Sequence, residues 1–361
     1  MKKIYKIIFY CPDTNFKFDG FTADTIGMGG GKTALVRMAK TLRDLDNDVT
    51  VYCNCNEGIY SRVVYKPLEK MRDDKCNIFI ATTSSKGELT ESFNQILADI
   101  KIVWVHGKGF IKGIYEIDYD YIYSVSSFMK EFIIKEWHLP PDKIFITHNG
   151  FCEENITEAI NYNVPRDINS IVFASHPSKG LLRVIEIVKE LRQDGSKFYL
   201  DIYGGNKLWG SDLNEDDMSN EKFVNYQGLI GQKELAQRFM KYNLMLALSS
   251  VPDTSSIAIH EAKKSGVIVI ASAVGGNPEI IKDGFDGFLI SEDYLSDECK
   301  NKVISIVQRL MKDPTYLNYI RKNAMQYERS WKVAGTEWMN HWDTIIKKKN
   351  LLDRSILHRK K

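Results

Sequence analysis

The chain has 361 residues, 27% of them charged and 43% hydrophobic, and a formal net charge of +2. That length favours two domains, each large enough to bury its own core, and the near-balanced charge gives no ground for a nucleic-acid partner. No apolar run approaches the ~18 residues a membrane-spanning helix needs. Six scattered cysteines, Cys11, Cys53, Cys55, Cys76, Cys152 and Cys299, form no disulfide framework and suit a reducing cytosol.

The basic start MKKIYKIIFYCP has too short an apolar run for a signal peptide and reads as a first strand, so a cytoplasmic location is expected. Strands are expected at Ile4 to Tyr10, Asp48 to Cys53, Asn77 to Thr82, Lys101 to Val105, Tyr121 to Val125 and Lys143 to Thr147. They alternate with helical patterns, the clearest at Thr33 to Leu45, where Leu35, Met38, Ala39 and Leu42 recur at helical spacing. This alternation predicts a parallel sheet of Rossmann type. Cys53 and Cys55 alternate along one strand, with no second pair spaced to complete a metal site.

The loop Gly27 to Thr33 nearly spells a P-loop, but Gly27 and Gly31 enclose three residues where that motif needs four, and the loop lies far from the first strand. A helix-start turn without a ligand is another reading of its glycines. His106 ends the strand KIVWVH ahead of Gly107 and Gly109, at the strand end where open α/β sheets bind ligands; a structural histidine is the alternative. Asp118-Tyr119-Asp120 offers two acids, thin support for a metal motif.

Glu153 to Asn169 is polar, with Pro165 to break a helix, and reads as the connection between domains spanning 1–152 and 166–330. A second alternation follows, with strands at Ser170 to Ala174, Phe198 to Tyr203 and Phe223 to Tyr226 and helices at Gly180 to Gln193 and Gly231 to Tyr242. Ser249 to Leu289 then reads as loop, helix, buried strand, Gly-Gly turn, short helix and strand, and is the expected ligand-binding centre. Asp253 and Glu261 stand with seven residues between them, one before the helix and one about two turns along it. Thr254, Ser255 and Ser256 offer hydroxyls, and with Ile257 free N–H groups, where the helix dipole is positive, a setting that suits a phosphate or diphosphate. Helices at Leu295 to Met311, Thr315 to Tyr327 and Val333 to Lys347 close the chain, with Trp338, Trp342 and Ile345 forming one apolar stripe. The tail KKKNLLDRSILHRKK is either a solvated end or a peripheral contact with an anionic membrane.

The Asp253-x7-Glu261 spacing, the stretch ASAVGGNPE from Ala271 to Glu279 and the stretch GFDGFL from Gly284 to Leu289 together resemble a known pattern. They are similar to the Glu-x7-Glu signature, Gly-Gly-x-Pro-Glu turn and final Gly-Phe-Leu of GT-B glycosyltransferases of the GT4 type, with Asp253 in place of the first Glu. The resemblance implies an α/β fold of two Rossmann-like domains facing a central cleft, with the last helix, 333–349, crossing back onto the first domain. It implies transfer of a sugar, with retention, from a nucleotide-diphosphate donor to an acceptor hydroxyl on a glycan, lipid or protein-linked sugar, without an obligatory metal or other cofactor. Carried onto this sequence, Glu261 would accept hydrogen bonds from the ribose, Asp253 from the sugar, and His106 would hold the sugar or pass a proton. Lys179 matches the Lys of the family's Lys-Gly pair that reaches the diphosphate. The Arg that accompanies it is missing, with Ser175 or His176 near its place. Gly29 and Gly30 match a Gly-Gly turn that meets the diphosphate from across the cleft, Gly204 a turn near the nucleotide, and Leu229 and Ile230 backbone contacts to the base. A nucleotide-sugar epimerase or phosphorylase on the same frame, and an NTPase using Lys32, are the alternatives.

Overall fold

The structure, a computed structural model, describes residues 3–72, 74–83, 87–209 and 220–359. The first lobe is built on strands β1 (Lys6–Tyr10), β2 (Asp48–Cys53), β3 (Gly58–Tyr60), β4 (Val63–Pro67), β5 (Lys75–Ala81), β6 (Leu97–Val105), β7 (Tyr121–Ser124) and β8 (Ile144–Ile146). They form one sheet in the order β3-β4-β2-β1-β5-β6-β7-β8, parallel except for the β3–β4 pair. The second lobe holds β9 (Asp167–Ser175), β10 (Tyr199–Gly204), β11 (Val224–Gly228), β12 (Tyr242–Ala247), β13 (Ile268–Ser272) and β14 (Phe288–Ile290), all parallel, in the order β11-β10-β9-β12-β13-β14. The inner strands are continuous apolar runs such as Ile268–Ser272, buried at every position, as strands covered on both faces must be.

In chain order the helices are α1 (Thr22–Thr25), α2 (Gly30–Asp44), α3 (Thr90–Gln95), α4 (Ser127–Trp137), α5 (Glu153–Asn161), α6 (Leu181–Leu191), α7 (Gln232–Phe239), α8 (Ile257–Lys264), α9 (Asn277–Ile280), α10 (Asp297–Lys312), α11 (Pro314–Met325) and α12 (Trp331–Arg359). Two features depart from expectation. The edge hairpin β3–β4 turns through Ser61 and Arg62, both at positive φ (48° and 66°), without the Asn-Gly or Asp-Gly pair that marks such a turn in a sequence. The polar connection after residue 152 contains α5, which buries Ile156 and Ala159; Pro165 lies beyond its end and interrupts nothing.

Helix α12 lays Trp331, Ala334, Trp338, Trp342 and Ile345 into the core of the first lobe. The Trp338 indole, fully buried, meets Trp104 edge-on and donates Nε1–H to Thr147 Oγ1 at 2.7 Å. Trp338→Phe removes that bond and part of the ring volume, and an expected loss of about 1–2 kcal/mol would appear as a lower urea midpoint with an unchanged slope. The side chains of the basic tail from residue 352 onward lie outside the described residues.

Candidate active site

The carboxyl ends of the two sheets face each other across a cavity of about 400 Å³. Open α/β sheets present their ligand sites at these strand ends, because the loops that follow are free to diverge there. The first lobe supplies the start of α2, with Gly29 and Gly30, and the end of β6, with His106 and Lys108. From the second lobe come Ser175, His176 and Lys179 after β9, Gly204 at the end of β10, and Leu229 and Ile230 after β11. The loop after β12 contributes Asp253, Thr254, Ser255 and Ser256, and α8 contributes Ile257 and Glu261. Every residue that the resemblance assigns to donor binding or catalysis therefore lines one cavity.

Lys179 Nζ and Asp253 Oδ1 are paired at 2.9 Å inside it, each side chain partly exposed. Gly180, the next residue, has φ +86°, and a Cβ there would stand 1.8 Å from the Leu248 carbonyl oxygen; only glycine lets the start of α6 sit this close to the end of β12. That contact fixes Lys179 beside the loop that carries Asp253. His176, near the place of the missing Arg, turns its Nδ1 to Ser178 Oγ at 2.8 Å. The second lysine at the cavity comes from the other lobe, as Lys108.

Glu261 is 3% exposed and accepts a 2.7 Å hydrogen bond from Gln232 Nε2. Burial pushes its carboxyl up to about 8, with Arg37 opposing and Asp24 adding to the rise. His106 lines the cavity, and its Nε2 is sealed from solvent with no hydrogen-bond partner. Burial pushes this ring down to about 3, so the imidazole is neutral at physiological pH.

Two readings need correction, the open hydroxyls before α8 and the NTPase use of Lys32. The hydroxyls of Thr254 and Ser255 are not held open for a phosphate: Thr254 Oγ1 donates to the His106 carbonyl at 2.6 Å, and Ser255 Oγ accepts from the Asn149 N–H at 3.3 Å, both across the lobes. The Asn149-Gly150 turn is part of the interlobe contact, since Asn149 Nδ2 also donates to the Ser255 carbonyl at 2.9 Å. Lys32 turns away from the main cavity to Asp13 Oδ2 at 3.5 Å and Asn15 Oδ1 at 3.3 Å, and α2 starts 20 positions after the last residue of β1, where a P-loop would follow its strand directly. Elsewhere, Asp120 serves the fold, accepting from the Lys101 N–H at 2.8 Å and pairing with Lys349 at 2.6 Å. Glu279 of the Pro-Glu turn accepts from the N–H groups of Ser127 and Phe128 at 2.8 and 3.0 Å, so a second-lobe acid caps first-lobe helix α4. Among the described residues, no group of three or more His, Cys, Asp and Glu side chains is placed to hold a metal ion.

The family description that matches this chain is "Glycosyl transferases group 1", over residues 161–327. The match covers most of the second lobe. Relatives include a lipopolysaccharide 1,2-N-acetylglucosaminetransferase of Salmonella typhimurium, 25% identical over 49% of this chain and 50% of its own. Another is an Escherichia coli UDP-Gal:alpha-D-GlcNAc-diphosphoundecaprenol alpha-1,3-galactosyltransferase, 28% identical over 54% of this chain and 51% of its own. The chain thus spans about half the length of these curated relatives. Over the whole fold, a sucrose-phosphate synthase from Thermosynechococcus elongatus superposes with a TM-score of 0.70 at 16% identity, covering 95% of this chain and 100% of that one. Anabaena HepE in complex with UDP-glucose superposes with a TM-score of 0.66 at 14% identity, covering 94% and 100%. The two lobes together form a GT-B fold.

Proposed function

We propose that the protein transfers a sugar, with retention, from a nucleotide-diphosphate sugar to a hydroxyl of a saccharide acceptor, free, lipid-linked or protein-linked. The observation that carries this reading is the convergence of Lys179, Asp253, Glu261 and the amino end of α8 on one interlobe cavity. Breaking the anomeric bond puts negative charge on the departing diphosphate, and fixed donors that meet this charge lower the barrier. Lys179, the first N–H groups of α8 and the amino end of α2 at Gly29 and Gly30 are assigned to that charge. Glu261 takes the ribose hydroxyls and Asp253 the sugar hydroxyls. His106, neutral at physiological pH, acts as a hydrogen-bonding wall for the sugar. Residues 166–330 hold the donor and residues 1–152 the acceptor. The acceptor's entry is assigned to an adjoining cavity of about 370 Å³ that shares Gly29, Gly30 and His106 with the first and is lined by Asp13, Lys32 and Thr83.

No metal or other cofactor is assigned to the reaction. For a lipid-linked acceptor, the basic C-terminal stretch KKKNLLDRSILHRKK suits an anionic bilayer surface on the cytoplasmic side. Among the described residues no helix is long and apolar enough to cross a membrane.

A panel of nucleotide sugars, screened by thermal unfolding, tests the reading. A true donor at a hundred times its dissociation constant is expected to add ~2.7 kcal/mol of stability and to release nucleoside diphosphate when a saccharide acceptor is supplied. A panel in which no nucleotide sugar stabilises the protein would remove the proposal.

A further inference from the structure

A guanidinium is buried where the two lobes meet. Arg37, in the middle of α2, is 3% exposed and lies among the first-lobe core residues Leu35, Val36 and Met38. Both of its terminal nitrogens donate to Asp24 of the same lobe, Nη1 at 2.9 Å. Its Nε donates across the interface to Oε1 of Gln232, the first residue of α7, at 2.7 Å. Gln232 is itself buried, and its Nε2 donates to Glu261 Oε1 at 2.7 Å. Asp24, Arg37, Gln232 and Glu261 thus form one chain of hydrogen bonds from the first lobe to the cavity. The backbones meet tightly beside it: a Cβ on Gly231 would stand 1.9 Å from the Asp24 carbonyl oxygen.

The chemistry of the groups gives this chain a direction. Arginine only donates, so the Gln232 amide must turn its oxygen to Arg37, and its NH₂ is then left to face Glu261. With Arg37 removed, a Glu261 that keeps its proton can donate to the oxygen of a flipped amide as well as accept from the NH₂, so the single orientation is lost. Separating the lobes breaks a single link, Arg37 to Gln232, leaving Arg37 with Asp24 in one lobe and Gln232 with Glu261 in the other. An ion pair with a buried guanidinium, such as Arg37 with the half-buried Asp24, adds little net stability compared with apolar packing, so packing alone gives no reason for it.

We propose that Arg37 and Gln232 form an interlobe latch: positioning residues through which docking of the lobes orders the Glu261 carboxylate for its ligand. The inference rests on the reading of Glu261 as the ribose-binding acid. It couples lobe closure to donor affinity, and it gives Arg37 a second effect on the ionisation of Glu261. The titratable groups that face Glu261 are Arg37 from α2, Asp24 from α1 and the Cys152 thiol ahead of α5, and Arg37 is the cation among them. It opposes the upward pull of burial on that carboxyl.

The test uses the full chain with UDP, ADP and GDP as probes, titrated calorimetrically from pH 6 to 9, and small-angle X-ray scattering of the ligand-free proteins. Arg37→Met is expected to weaken the nucleotide that the wild type binds by about 10-fold, to move the acid-side midpoint of affinity to higher pH, and to enlarge the radius of gyration. Arg37→Lys, which keeps the charge and one donor, is expected to recover part of the affinity and of the midpoint. Gln232→Leu removes the amide at similar volume and is expected to weaken binding alike; it carries the same test from the second lobe should Arg37→Met not fold. Wild-type affinity, midpoint and radius in the variants would overturn the latch while leaving the nucleotide site standing. A wild type that binds none of the three nucleotides would instead overturn the reading of the site, and the latch with it.

Discussion

Lys179→Ala is expected to lower donor turnover by about 10²- to 10³-fold at saturating donor, the loss typical of removing one preorganised group that meets developing negative charge. The 2.9 Å pair with Asp253 makes the effect larger than the loss of a cation. Without Lys179 the Asp253 carboxylate stands unpaired in the cavity, where it repels the diphosphate. Asp253→Asn alone should therefore cost less, about 10-fold, and the double variant should turn over donor faster than Lys179→Ala. A double-mutant cycle in kcat and kcat/KM measures this coupling. If the double variant is no better than Lys179→Ala, the two side chains act separately; if Lys179→Ala keeps the wild-type kcat, Lys179 does not touch the departing group.

What could be read beforehand follows from the distance over which each feature is encoded. Lys179, Asp253 and Glu261 were legible because each belongs to a local pattern: a Lys-Gly at a helix start, and two acids spaced along a loop and the helix after it. The two-lobed fold was legible for the same reason, since apolar strand runs such as Ile268–Ser272 and the Trp338 stripe write their burial into consecutive residues. Arg37 and Gln232 were not, although each lies within hydrogen-bonding reach of the same network. Their bond joins residues 195 apart, and Arg37 looks from its neighbours like an ordinary polar position on a helix. The one available signal was its place between Val36 and Met38, both buried. Thr254 and Ser255 are the opposite case. Their hydroxyls looked free from the sequence because their partners, His106 and Asn149, come from the other lobe. Helix α5 is hidden in the sequence because its polar face outnumbers the two apolar residues it buries, Ile156 and Ala159.

Glu261→Gln should make the ligand-free protein more stable at alkaline pH and yet weaken its hold on the donor. In the folded chain burial raises the Glu261 carboxyl to about 8, whereas in the unfolded chain it titrates near ~4.3. Between these values the native state holds a proton that the unfolded state has released, so the contribution of this group to stability falls as pH rises through that window. It is fully present below ~4.3 and fully lost above 8, a difference on the order of a few kcal/mol for a side chain this buried. Glutamine does not titrate and can still accept from Gln232 Nε2. The variant and the wild type should therefore unfold alike in urea at pH 4 and diverge steadily toward pH 8, with the variant the more stable. The cost falls on the ligand. A neutral amide gives up the charge-assisted bonds to ribose, worth ~1.5–3 kcal/mol, so donor affinity should drop about 10- to 100-fold. Donor binding to the wild type near pH 7 should in turn expel the proton that burial retains, visible as a binding enthalpy that depends on the buffer. Parallel stability curves across this pH range would mean that the carboxyl is already ionised in the free protein. Undiminished donor binding by Glu261→Gln would mean that the acid faces the Arg37 network alone and not the donor.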